Sequence, residues 1–452
     1  MGCSGPSKTV VRGGWRMALV AVSLLAGGGS ELRADDWPQW RGAGRDGVWQ
    51  ETGVVKKLPA ELPRKWTVKV GAGYSGPTVA DGRVYLTDRF TRPEEIERIL
   101  CFDEQTGEEL WTVTYPAAYG RIGYQAGPRA SVTVHDGLAY ALGATGMLHC
   151  LDAASGQIKW KKDCEAEYEI EMPIWGIAGA PLIYQDLVIL HIGGKDACVV
   201  ALDRKTGKHV WKALKDRAQY TAPFLVKQTG KDVVIVWTGD SVAGLDAATG
   251  EVYWRYEWKP RNMPIGIATP VVDGDRVFFT GFYDGSLMLR LTEKEGKPSF
   301  EKLWQITGRD ERNTEALHSI ISTPILRDGY IYGADSYGEL RCLDAKTGER
   351  IWEDLTATPK ARWSNLHFVE RITDGKLQED WLFNERGELL IGHLTPKGFT
   401  EVSRGKLIEP TQEQLRQRGG VCWAHPAYAH RSGFIRNDNE LVCASLAAEA
   451  GE

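Results

Sequence analysis

Apolar residues recur along this chain in short runs, each closed by a turn signal and followed by another short run. Gly76-Pro-Thr-Val-Ala80 leads through Asp81-Gly82 to Arg83-Val-Tyr-Leu-Thr87, and residues 130–134 lead through Asp136-Gly137 to residues 138–142. Later runs open at Ala180-Pro181, Ala222-Pro223, Thr269-Pro270 and Thr323-Pro324, with turns at Asp273-Gly274 and Asp328-Gly329. Paired runs around an Asp-Gly step predict β-hairpins. A third run then ends in a longer signature, D-x-x-[ST]-G-x-x-x-W. It is carried by Asp103 and Trp111, Asp152 and Trp160, Asp203 and Trp211, Asp246 and Trp254, and Asp344 and Trp352. The Asp and Ser/Thr side chains suit a tight turn, and the Gly supplies its positive φ. The Trp is expected to close a fourth strand and to fill the gap between neighbouring sheets.

The Asp positions, or their replacements, fall at 103, 152, 203, 246, 292, 344, 395 and 445, a spacing of about 49 residues that suits four-stranded blades. Two copies are degenerate. One runs from residues 287–291 to Trp304, and the other is built on residues 381–384 and 389–394. The eighth copy starts at Ala424-His-Pro426, turns near Ser432-Gly433 and stops after Leu441-Val-Cys443, one strand short. Residues 65–70 around Trp66 form a strand without a blade. Pairing the two closes a ring and removes its open edges. The expected fold is all-β: an eight-bladed propeller over residues 66–452, completed by its N-terminal strand.

Ahead of it, Arg12 and Arg16, the apolar stretch from Met17 and the Leu32-Arg-Ala34 step read as a signal peptide over residues 1–34. The mature chain is then periplasmic or secreted and, as a closed ring, monomeric. Residues 35–65, with Trp37-Pro-Gln-Trp40-Arg-Gly42, read as an extended arm packed over the domain. A net charge of −5 with no long basic run argues against nucleic acid, and no later stretch is apolar enough to span a membrane. Cys101, Cys150, Cys342 and Cys443 share one repeat position, where Ala201 and Gly244 stand elsewhere, so they read as small buried residues rather than disulfides. No Cys or His spacing suggests a zinc site.

The pattern resembles the tryptophan-docking repeat of the quinoprotein, or pyrroloquinoline quinone (PQQ)-like, β-propellers, most closely in Ala201-Leu-Asp203-Arg-Lys-Thr-Gly207-Lys-His-Val-Trp211. It is also similar to the propeller lipoprotein of the outer-membrane β-barrel assembly machinery, a cofactor-free scaffold. The signal peptide and arm look like those of exported bacterial repeat proteins without a defined activity. In quinoprotein dehydrogenases the resemblance implies PQQ stacked on a vicinal Cys-Cys pair, Ca²⁺ held by Glu, Asn and Asp, and an Asp base. This chain has no adjacent cysteines. No cofactor is expected, and PQQ with calcium lacks support in the residues.

In a propeller, function lies where loops converge over the central channel. The loops after each repeat Trp are long and carry Tyr124 and Arg129, Trp175, Tyr220, Arg261, His318, Arg362 and Trp363, and Trp423 with His425. Aromatic faces and guanidinium groups suit stacking and anion binding, and the same residues suit loop-to-loop packing. Arg129, His318, Arg362 and Trp423 stand nearest the innermost strands. The expected function is a non-enzymatic scaffold binding a protein partner or a small anionic or glycan ligand. Two alternatives are a PQQ-dependent oxidoreductase and a carbohydrate-active enzyme with His318 or His425 as base.

Overall fold

The computed structural model describes residues 35–415 and 418–449; the expected signal peptide lies outside them. Among the described residues there are eight sheets, each built on four antiparallel strands, and one of them carries a fifth. Blade 1 comprises Thr78–Ala80, Arg83–Phe90, Ile96–Asp103 and Glu109–Pro116. Blade 8 comprises Ala427–Ala429, Ser432–Arg436 and Glu440–Ser445, and its outer strand is Arg64–Lys69 from the other end of the domain. Trp66 lies opposite Cys443 there, so the ring closes as the pattern predicts. The turn in blade 8 falls at His430-Arg431, both with positive φ, while Ser432 and Gly433 already belong to the strand. One five-residue helix, Cys164–Tyr168, capped by Asp163, was not foreseen.

The repeat residues do what their chemistry allows. The Asp103 carboxylate accepts the N–H groups of Gln105 and Thr106 and the Thr106 hydroxyl, at 3.0, 2.9 and 2.9 Å. The backbone and hydroxyl of Thr106 hold its pKa below the usual carboxylate value. The tryptophan departs from expectation in one respect. It does not end its strand: Trp111 is the third residue of Glu109–Pro116. A register shift precedes it, between Cys101 and Phe102 on the partner strand, and the other outer strands shift at the equivalent place. A bulge increases local twist, and here it turns the indole out of its own sheet onto the next.

That contact is the joint between blades. Trp66 donates to the Glu104 carbonyl at 2.8 Å, Trp111 to Ala153 at 3.1 Å and Trp160 to Arg204 at 3.1 Å, each on the turn of the following blade. Each indole lies against the glycine of that turn. Burying a tryptophan removes roughly 150–250 Å² from water. At about 25 cal/mol per Å² this is roughly 4–6 kcal/mol per joint, an upper bound. Within a blade the indole covers the small residue across from it, Cys101 opposite Trp111 and Gly244 opposite Trp254. All seven described cysteines are free and buried. Burial pushes the Cys101 thiol up to about 12, which leaves it inert at neutral pH.

The first part of the arm, residues 37–49, enters the ring, while Val54 pairs with Ala447 and Glu61 with Lys406 on the outer strand of blade 7. Trp37 pairs with Val79 on the inner strand of blade 1, and the Val134 N–H donates to Pro38 beside blade 2. Arg45 donates to the carbonyls of Ala180, Pro181 and Pro223 at the inner edges of blades 3 and 4. Val48–Trp49 then adds a parallel fifth strand inside blade 7, next to Leu366–Thr373. Backbone carbonyls stranded around a propeller axis need donors, and the arm supplies them.

Gly156 tests the joint. Its φ is +72°, and an added Cβ would stand 2.6 Å from the Trp111 ring; Gly82 has the same φ with nothing within 4 Å. Gly156→Ala is expected to cost about 2–4 kcal/mol, combining backbone strain with overpacking, and Gly82→Ala about 1 kcal/mol from strain alone. Urea denaturation of the two variants checks the difference.

Candidate functional site

The eight connections that link an outer strand to the next inner strand all contribute to one cavity of about 150 Å³. In chain order they bring Tyr74, then Tyr124 with Arg129, Trp175 with Ala178, and Tyr220 with Ala222. Ile267 with Thr269, Ile320 with Ile321, Trp363, and Trp423 with His425 follow. The arm supplies Trp40. Trp40, His367 and His425 also line a second, smaller space further along the channel, so they form the partition between the two.

Edge and tilted ring contacts hold the wall together. Tyr124 meets Trp175, Trp363 and Trp423 at centroid distances of 5.5, 6.2 and 5.9 Å, and Trp175 meets Tyr220 at 5.2 Å. Tyr124 adopts φ +53° and Trp363 φ +67°, backbone conformations that aim bulky rings inward at a cost the packing offsets. At the partition, Trp40 meets His425 edge-on at 4.4 Å and donates its indole N–H to the Thr269 hydroxyl at 2.9 Å.

Arg129, His367, His425 and Ser131 of the lining bond within the protein. Arg129 donates to the carbonyls of Gly123, Tyr124 and Gly127, and its guanidinium lies over the Tyr74 ring. The His425 Nδ1–H donates to the Pro426 carbonyl, so Nε2 accepts from the Ser131 hydroxyl at 2.8 Å. His367 donates from Nε2 to the Trp423 carbonyl at 2.9 Å. Burial, the largest cause in each case, pulls His367 down to about 4 and His425 to about 3, so both imidazoles are neutral at physiological pH. Among the described residues Arg129 is the one charged side chain of the lining, and no carboxylate faces the cavity.

Of the ten residues singled out in the sequence, Tyr124, Arg129, Trp175, Tyr220, Trp363, Trp423 and His425 line this cavity. Arg261, His318 and Arg362 do not. His318 is fully buried, accepts from the Gly308 N–H at 3.0 Å and donates to the Phe282 carbonyl at 3.0 Å. Arg261 donates to the Gly308 carbonyl, and Arg362 pairs with Glu311 at 2.6 Å while lying over Trp363. The three brace the loops just outside the cavity, because inner-loop backbone needs partners before a ligand does. Trp40, Tyr74, Ser131 and His367 line the cavity without having been picked out. Trp40 was visible as a tryptophan outside the repeat register; His367 sits within a strand and gives no such signal.

The fold and its mouth can now be set beside known proteins. A family model described as outer membrane protein assembly factor BamB matches residues 95–354, more than half of the chain. The chain belongs to that family. It is 27% identical over 254 residues to outer membrane protein assembly factor BamB of Burkholderia pseudomallei, covering 54% of this chain and 58% of that protein. It is also 34% identical over 155 residues to 1-butanol dehydrogenase (quinone) of Thauera butanivorans, covering 33% of this chain and 24% of that one. The chain thus spans less than two thirds of both relatives. Among solved structures, quinohemoprotein alcohol dehydrogenase from Comamonas testosteroni superposes with a TM-score of 0.61 at 13% identity, covering 92% of this chain and 81% of that one. BamB from Moraxella catarrhalis gives 0.53 at 14% identity, covering 85% and 99%. At these identities the superpositions establish the propeller fold.

The buried imidazoles have a consequence for pH. Above about pH 6.5 they are neutral whether folded or unfolded. Below it the unfolded chain takes up protons that the folded chain refuses until about pH 4 for His367 and about pH 3 for His425. Stability therefore falls with falling pH across that window, by up to about 1.4 kcal/mol per pH unit for each histidine. His367→Gln is expected to flatten the slope by up to that amount between pH 6 and 4.5, measured by urea titrations at stepped pH.

Proposed function

We propose that this protein is an exported, monomeric scaffold that holds a partner protein on its loop face and carries out no chemistry of its own. The observation that supports this most is the convergence of all eight inter-blade loops on an aromatic mouth whose arginine and histidines already bond within the protein. Such a mouth offers apolar contact area at low ordering cost, which suits protein recognition. The relatives described as outer membrane protein assembly factors suggest the class of process: assembly of other proteins outside the cytoplasm. Among the described residues no helix is long and apolar enough to cross a membrane.

The second reading is a PQQ-dependent oxidoreductase, favoured by the 34% identity to the quinone-dependent butanol dehydrogenase. The residues do not fit that cofactor set. No two cysteines are adjacent, and among the described residues the cavity has no acidic lining and no three His, Cys, Asp or Glu form a cluster suited to a metal. A glycan-directed enzyme based on His318, His425 or Arg362 is weaker still, because His318 and Arg362 are engaged outside the cavity and both ring nitrogens of His425 are bonded, to Ser131 and Pro426.

A photo-crosslinking residue at Ile174, exposed beside the mouth, is expected to form a discrete adduct with one partner in intact cells. The same residue at Val210, on an outer blade strand, is expected to form none. Absence of adducts at Ile174, together with dye reduction by purified protein given PQQ, Ca²⁺ and an alcohol, would replace the scaffold with the oxidoreductase.

A further inference from the structure

Resting on that scaffold reading, we infer that the mouth is an anchor pocket for a single uncharged aromatic side chain presented by an extended segment of the partner protein.

Size, charge and hydrogen bonding select this occupant together. A cavity of about 150 Å³ is the size that, in an apolar interior, accepts one benzene-like ring. The walls are ring faces and edges from Trp40, Tyr124, Trp175, Trp363 and Trp423, and aromatic groups pair with such walls at centroid distances of about 4.5–7 Å. A cationic group is disfavoured by Arg129, whose charge meets no carboxylate in the lining. A sugar or a free anion is disfavoured for a different reason. Its hydroxyls or oxygens need partners, and His367, His425 and Ser131 already bond within the protein, as do both terminal nitrogens of Arg129; burying polar groups without partners is costly.

One feature points to a ring carried on a polypeptide. Beside the cavity, and sharing Tyr220 with it, runs a larger groove of about 490 Å³. Glu169, Glu171, Lys195, Lys215 and Arg217 line it, a mixed polar rim of the kind that surrounds an apolar anchor in protein interfaces. An extended segment in the groove reaches the cavity past Tyr220. Trp40 gives the arm a part in recognition as well, since it forms the wall against which the ring tip would rest.

The test titrates the full mature protein with N-acetyl-phenylalanine amide, following tryptophan fluorescence and calorimetry. Saturable one-to-one binding is expected, weakened at least tenfold for N-acetyl-alanine amide and for benzyltrimethylammonium. Ala178→Trp fills the pocket from a half-buried position, and is expected to keep the melting temperature while abolishing binding. Trp40→Ala is expected to weaken binding at least tenfold. Excess N-acetyl-phenylalanine amide is also expected to suppress the Ile174 crosslink. No saturable binding, or equal binding by Ala178→Trp, overturns the anchor pocket; if the crosslink persists, the scaffold reading survives that loss. Binding that leaves the crosslink untouched also overturns it, by assigning the pocket to a free small molecule. Loss of the crosslink site with binding intact removes the scaffold reading instead.

Discussion

A tryptophan from one blade resting on the turn of the next is the contact on which this structure depends. A single blade is one repeat unit that cannot bury its hydrophobic faces alone. Stability has to come from between blades: Trp66, Trp111, Trp160, Trp304 and Trp352 each donate to a carbonyl of the next blade. Trp211 rests on Gly250 without that bond, and Trp254 bonds Gln228 of its own blade. The joint is also directional, because the bulge before each tryptophan sets which way the indole turns. Repeating one joint around a circle leaves a gap unless first and last blades meet. The outer strand of blade 8 therefore comes from residues 64–69, so that Trp66 makes the same contact on blade 1 as Trp111 makes on blade 2.

Closure has a direct effect on the mouth. Each wall residue stands on a loop whose two ends belong to adjacent blades, so the relative placement of Tyr124, Trp175, Trp363 and Trp423 follows from the joints rather than from the loops themselves. The braces outside the cavity, Arg261 and His318 on Gly308 and Arg362 on Glu311, stiffen the loops without occupying the space they frame. On the channel side, the arm brings Trp40 and the half-buried Arg45, whose pKa is lowered by loss of hydration. Its guanidinium, bonded to carbonyls of blades 3 and 4, holds the arm in one place.

Much of this was legible in the sequence, and the reason is physical. Asp103, Gly107 and Trp111 each have a single job that few other residues can do, so their spacing reports the blade period directly, and the unpaired strand at Trp66 announces the closure. The loops could be ranked by composition, and seven of ten residues chosen from them do meet in one cavity. His318, Arg261 and Arg362 lie outside it because a polar residue near an inner strand can serve backbone carbonyls and neighbouring carboxylates as well as a ligand, and periodicity does not distinguish the two. The entry of residues 37–49 into the ring was missed for a related reason. Residues 35–65 have no repeating pattern, and what positions them is a set of stranded carbonyls on strands far away in the chain, which no local signal reveals.

The claim that most needs testing is that the terminal strand and the blades form one cooperative ring. Native-state hydrogen exchange, read segment by segment under increasing urea, addresses it directly. The account predicts that amides of Arg64–Lys69 open with the same free energy and the same denaturant dependence as those of Glu440–Ser445 and the inner strands of blades 1–7. Exchange of Arg64–Lys69 at much lower cost, with the other blades still protected, would contradict it.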